Sequence, residues 1–292
     1  MTEPYVAIDR LSKRLGNKQV LDAISAQAQA GEVIGLLGLN GAGKTTLLET
    51  LPGLRLADSG TVQLFGQPGG AALSHAAKLR IGFVPQRDEL LDSVTAAHYL
   101  TLIAAFYPRW NHALVQQLCA QWQVPLEQRI RSLSTGQRQT LSIISALGHE
   151  PDLLLLDEPV ASLDPLARRR FLRTLVDLCV GQERTVVFST HIVSDLERVA
   201  SRVWLLRDGA LMLDAPLDDL KESIVRVQLP ATVAPPQTPL PGLWQQRTEA
   251  FGTVLVFRQW SPTLQASLER QLQTSLAPQA LGLEEIFLEL HA

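Results

Sequence analysis

The chain has 292 residues, which at roughly 100–200 residues per domain allows one large domain, or one domain and a small appendage. Hydrophobic residues make up 46% and charged residues 19%, with 19 Gly and 17 Pro, a globular balance that excludes a disordered, collagenous or coiled-coil chain. A count of 26 basic against 29 acidic residues leaves −3, so no net field draws the chain to nucleic acid or to acidic membranes.

Cys119 and Cys179 stand too far apart for a local metal-ligand spacing, and a reduced, cytoplasmic protein is expected. The start MTEPYVAIDR lacks the apolar run of a secretory signal. No stretch approaches the ~18 consecutive apolar residues that cross a bilayer, so any work at a membrane needs another chain to supply the span.

In chain order, short apolar runs at Val33–Leu37, Val62–Phe65 and Ile81–Val84 predict buried strands. From Thr95 to about Trp122 the period turns helical, with Leu100, Ile103, Ala104 and Phe106 on one face, a break at Pro108 and a second helix from about Asn111. A helix follows Ser134 and ends before Pro151; Leu153–Leu156 then reads as a buried strand. Strand and helix alternate through Thr185–Ser189, the segment after His191, and Val203–Leu206, predicting an α/β fold with a mostly parallel sheet. Pro230, Pro235, Pro236, Pro239 and Pro241 exclude a helix or central strand there. Beyond them Thr253–Phe257 predicts a strand, and Leu264–Leu272 and Leu283–Leu290 helices, so a small α+β unit over 226–292 follows a main domain over 1–225.

The strongest local signal is Gly38-Leu39-Asn40-Gly41-Ala42-Gly43-Lys44-Thr45-Thr46, set between a buried strand and a helix as a phosphate-binding loop requires. Its glycines let backbone N–H groups point at phosphate oxygens, and the following helix adds its positive end. Lys44 brings a charge to the β- and γ-phosphates, and the Thr45 hydroxyl is a ligand for Mg²⁺. A dinucleotide loop needs a third glycine where Thr46 stands, and no guanine-reading Asn-Lys-x-Asp lies downstream, which favours ATP.

Leu153–Leu156 runs into Asp157 and Glu158. Neighbours on an extended strand face opposite ways, so the two carboxylates divide two tasks, holding Mg²⁺ and activating a water. His191, after a strand ending in Ser-Thr, is placed to meet a γ-phosphate, whereas His75, His98, His112, His149 and His291 read as surface or core residues. Arg168–Arg170 reads as a solvated helix face, with no nucleic-acid partner.

Leu133-Ser134-Thr135-Gly136-Gln137 resembles the Leu-Ser-Gly-Gly-Gln signature of ATP-binding cassette (ABC) ATPases, with Thr135 as the departure. Gln86 resembles the family's Q-loop, Ser162-Leu163-Asp164 its D-loop and His191 its switch histidine, so the likeness covers about residues 4–225 in the family's fixed order. The resemblance implies a P-loop NTPase (RecA-like) core, an N-terminal antiparallel β portion and a helical insert at about 87–138. It implies Glu158 and His191 with Lys44 as catalytic residues, and Thr45, Gln86 and Asp157 around Mg²⁺. Gln86, Ser134, Gly136 and Gln137 join residues 38–46 around ATP. It further implies a homodimer or pseudo-dimer in which the phosphate loop of one subunit faces the signature of the other. Ser134 as N-cap and the free N–H groups behind it suit that second anion surface.

Leu15 falls where the family usually has an aromatic residue stacking on adenine, which predicts weak base discrimination. Residues 226–292 are too few for the regulatory barrel of sugar importers, and Leu283–Leu290 and Phe106–Asn111 resemble export subunits of the ABC-2 group. The expectation is an ATPase subunit driving an exporter, peripheral on the inner face of the membrane through an integral permease. The alternative is a soluble cassette acting on a macromolecular complex.

Overall fold

The structure is a computed structural model describing residues 3–179, 184–233 and 240–291; Pro235, Pro236 and Pro239 and the side chains of Cys179 and His291 lie outside the described residues. By internal contacts the chain forms two compact units, 1–214 and 215–292, so the division falls one helix earlier than position 225.

In the first unit β1 (Val6–Leu15), β2 (Lys18–Ala28) and β3 (Val33–Leu37) lead to α1 (Lys44–Thr50), β4 (Ser59–Leu64), β5 (Gln67–Pro68), α2 (His75–Lys78) and β6 (Ile81–Val84). The insert contributes α3 (Ala96–Ala104) and α4 (His112–Gln121) before α5 (Thr135–Leu147). Then come β7 (Leu153–Leu156), α6 (Pro165–Cys179), β8 (Thr185–Thr190), α7 (Val193–Val199), β9 (Arg202–Arg207) and β10 (Ala210–Pro216).

Strands β2-β1-β4-β5 make an antiparallel sheet, and β10-β9-β3-β8-β7-β6 a second sheet in which β9, β3, β8, β7 and β6 run parallel. Every residue of β3, β7 and β8 is buried, as expected for interior parallel strands covered on both faces, so their hydrophobic runs are continuous and do not alternate. The β9–β10 turn, Asp208 at φ 49° and Gly209 at φ 81°, has the left-handed pair that a tight hairpin needs. Phe65 at φ 55° turns out of β4, which explains why that strand stops short of it.

Because β3, β8, β7 and β6 are parallel neighbours, their C-terminal ends share one rim. That rim carries the 38–46 loop, His191, Asp157–Glu158 and Gln86, the place where open α/β sheets bind ligands. The insert docks through aromatic packing: Tyr107 stacks on buried His149 at 4.0 Å, and a Cβ on Gly148 would stand 2.4 Å from the Trp110 ring. His149 Nε2 donates to the Ile81 carbonyl at 3.1 Å, and burial pushes its pKa down to about 4. His149 is therefore a core residue held neutral.

The second unit contains α8 (Leu217–Ser223), β11 (Val225–Pro230), β12 (Leu243–Glu249), β13 (Gly252–Phe257), α9 (Pro262–Leu272), β14 (Gln279–Ala280) and α10 (Leu283–His291), its antiparallel sheet ordered β12-β13-β11-β14. One expectation is corrected here. Pro230 closes β11, a central strand, opposite Gly252; at the last residue of a strand the missing N–H removes little of the ladder. Val225, Val227, Leu229, Leu255 and Phe257 form this unit's own core with Leu268 and Leu276.

Candidate functional site

The loop leaves β3 at Gly38, where a Cβ would stand 2.6 Å from the Leu206 carbonyl oxygen. It closes on Gly43, the α1 N-cap at φ 109°, where a Cβ would come within 2.7 Å of the Val20 carbonyl oxygen. Both positions therefore require glycine. Ala42 N–H donates to Leu39 O at 3.1 Å, rounding the turn. Lys44 is buried, its Nζ donating to the carbonyls of Gly38 (2.8 Å) and Leu39 (3.3 Å) and standing 3.6 Å from Glu158 Oε1.

Asp157 and Glu158 do separate, but not by strand alternation. β7 ends at Leu156, and Glu158 turns away through a left-handed φ of 48°, a strained conformation for a residue with a side chain. Ser189 stabilises this turn: its hydroxyl donates to Asp157 Oδ1 at 2.6 Å and accepts from Glu158 N–H at 2.8 Å. Asp157 is 1% exposed, and its Oδ2 is buried without a hydrogen-bond partner among the described residues. Glu158 Oε2 lies 3.0 Å from His191 Nδ1, which places the Nδ1 proton on the carboxylate side and leaves Nε2 of the half-exposed ring free to face outward.

A cleft of about 490 Å³ opens over this arrangement, lined by the phosphate loop, Gln86, Glu158, Leu15, Lys18 and Val20. The structure thus gathers Asn40, Gly41, Gly43, Lys44, Thr45, Thr46, Gln86 and Glu158, with His191 joined through Glu158 and Asp157 behind. Leu15 is 41% exposed on the wall and offers no ring. Thr45, Gln86 and the unpartnered Asp157 Oδ2 are oxygen donors of the hard type that Mg²⁺ takes.

Ser134, Gly136 and Gln137 do not line this cleft. They form the start of α5: Ser134 Oγ accepts from Gln137 N–H at 3.3 Å and Gln137 Oε1 accepts from Ser134 N–H at 2.9 Å, a closed capping box. Gly136 lets this turn approach the D-loop, since a Cβ there would be 3.2 Å from Ser162 O. Within one chain the two phosphate-type surfaces are separate.

Sequence reasoning missed two groups. Ser189 was hidden inside an apolar strand, and Arg138, one residue past Gln137, pairs with Asp88 and with Asp92 Oδ1 (2.6 Å). Hydrogen bonds that Arg138 donates to Asp88 and then to Asp92 push its guanidinium pKa up, so the segment after Gln86 is tied ionically to the signature helix. The Asp88/Asp92 spacing of four was the only signal available.

A phosphate loop, a carboxylate pair and a histidine on the C-terminal rim of a parallel sheet define a P-loop nucleoside-triphosphate-binding protein. Residues 21–161 match the ABC transporter family model. The Nod factor export ATP-binding protein I of Burkholderia lata is 32% identical over 298 residues, covering 98% of this chain and 97% of the relative. The ABC transporter ATP-binding protein YtrB of Bacillus subtilis is 31% identical over 226 residues, covering 77% and 76%. Among solved structures, an ATP-binding subunit of an ABC transporter is 25% identical with a TM-score of 0.67, covering 75% of this chain and 92% of that one. A dimeric bacterial ABC transporter cassette at 22% identity and TM-score 0.66, covering 73% and 98%, shares the fold. The chain belongs to the ABC transporter family, as one of its ATP-binding ATPase subunits.

Proposed function

We propose that this subunit hydrolyses MgATP in a head-to-tail dimer and drives a separate integral permease, in an exporter. The observation that carries the hydrolytic reading is Glu158, buried between Lys44 at 3.6 Å and His191 at 3.0 Å on the wall of the cleft. Lys44 and the loop N–H groups bind the phosphates, releasing Nζ from the Gly38 and Leu39 carbonyls. Glu158 takes the proton of the water whose oxygen attacks the γ-phosphorus as the bond to the ADP oxygen breaks. His191 orients Glu158 through Nδ1 and offers Nε2 to the γ-phosphate. Thr45, Gln86 and Asp157 would hold Mg²⁺, which supplies charge neutralisation at the β- and γ-oxygens.

Support for the dimer is the separation, in one chain, of the α5 start from the loop cleft, which a second copy would bring together at each ATP site. Support for export is that likeness to the Nod factor export proteins extends over 98% of the chain, second unit included, whereas the likeness to YtrB covers 77%. No helix among the described residues is long and apolar enough to cross a membrane; in the proposed exporter the separate permease supplies the span. Purification from membranes in mild detergent should bring a polytopic chain with the tagged protein, and Glu158→Gln should accumulate an ATP-dependent dimer. A purely soluble assembly would overturn the transporter reading; a Glu158→Gln protein that stays monomeric with ATP would overturn the dimer.

A further inference from the structure

The nucleotide cleft is one of several cavities among the described residues. A groove of about 600 Å³ runs between α6 and α7 and shares no lining residue with that cleft. Its floor is apolar, with Leu172, Val176 and Val199, and its rim carries Arg168, Arg169, Arg173 and Arg198 against the carboxylates of Asp177 and Asp195. Arg168 Nε stands 2.8 Å from Asp195 Oδ2, so that pair neutralises itself at the base of the groove. Arg169, Arg173 and Arg198 are exposed, and none of the three guanidinium groups has an ion-pair partner among the described residues. Arg169, Arg173 and Arg198 line one groove with an apolar floor, Arg198 also acting electrostatically on Asp195, and the groove lies within the volume range of about 300–1,000 Å³ typical of small-molecule sites.

We propose that this groove binds a small amphipathic anion, an apolar body with a carboxylate, sulfonate or phosphate head held by Arg169, Arg173 and Arg198. Guanidinium forks suit such heads, and the apolar floor takes an alkyl or aryl body. Because α6 follows Asp164 and α7 follows His191, an occupant bridging the two helices would hold both segments in one arrangement.

The test is a fluorescence titration of the full-length protein, saturated with MgATP, using anionic 8-anilinonaphthalene-1-sulfonate and its uncharged analogue N-phenyl-1-naphthylamine. The expected result is one saturable site for the anion, displaced by dodecanoate and weakened at least tenfold by Arg169→Glu/Arg173→Glu, with thermal midpoint and ATP affinity unchanged. Arg198→Gln, on the facing helix, should weaken it in the same direction. Binding unaltered in both variants, or equal affinity for the uncharged dye, would overturn the proposal. Displacement by an acidic amphipathic peptide but not by dodecanoate would overturn the small-ligand class in favour of a protein partner.

Discussion

Both units bury carboxylates, and Glu289 of the second is treated oppositely to Asp157 and Glu158 of the first. In the second unit Glu289 of α10 is 4% exposed and receives Arg226 Nη2 at 2.6 Å, Arg226 Nε at 3.0 Å and a further ion pair from Arg247. Burial alone would push its pKa up, but the two guanidinium groups outweigh burial and hold it below the ordinary carboxylate range. In the first unit Asp157 Oδ2 has no hydrogen-bond partner among the described residues, and the Glu158 carboxylate meets Lys44 at 3.6 Å and the half-exposed His191 at 3.0 Å. A buried charge with every lone pair filled fastens an element in place; one left partly unfilled is available to a ligand.

The contrast is broken or sharpened most strongly by exchanging one atom at Glu158. Glu158→Gln should cut ATP turnover by about 10²–10⁴-fold, the range for losing a general base, while the thermal midpoint stays within a degree or so. Steady-state phosphate release with a parallel melt checks this, and unchanged turnover removes Glu158 from the base role. Glu289→Ala should do the reverse. Two guanidinium groups lose their partner, so the second unit should lose about 3 kcal/mol in denaturant melts while turnover per folded molecule is retained.

His149 offers a third treatment, a buried group kept uncharged. Its pKa falls from 6.5 to about 4 on folding, chiefly by desolvation. As pH drops below 6.5 the unfolded chain binds a proton that the folded chain refuses until about 4, so stability is lost across that window. The expected loss by pH 5 is about 2 kcal/mol, and His149→Phe should flatten the slope of urea midpoint against pH over 7 to 5. The smallest effect is expected at Leu15: ATP and GTP should bind within about tenfold, or 1.4 kcal/mol, by competitive titration, because no ring on the cleft wall reads the base.

The fold and the cleft were legible wherever their determinants are contiguous. Val33–Leu37 and Ile81–Val84 stand where their apolar runs put them, and Gly38–Thr46 reads as a loop because glycine and lysine spacing is a local property. Ser189 and Arg138 were not legible, since their partners are 31 and 50 residues away in sequence. β12 was missed because most of its residues, LWQQRTE, are polar, an edge strand with little apolar pattern. Pro230 misled because a proline at the last residue of a strand carries the same letter as one in its middle.

The Asp208–Gly209 hairpin tip also bears on how nucleotide is met. Gly209 N–H donates to the Ala42 carbonyl at 3.2 Å, its own carbonyl accepts from Asp22 N–H at 2.9 Å, and Leu206 O packs against Gly38. The phosphate loop is thus braced from behind by two sheets before any ligand arrives. Binding then costs little ordering entropy, so association should resemble docking onto a rigid surface, with nucleotide residence time governed by contacts broken on departure and not by refolding of the loop.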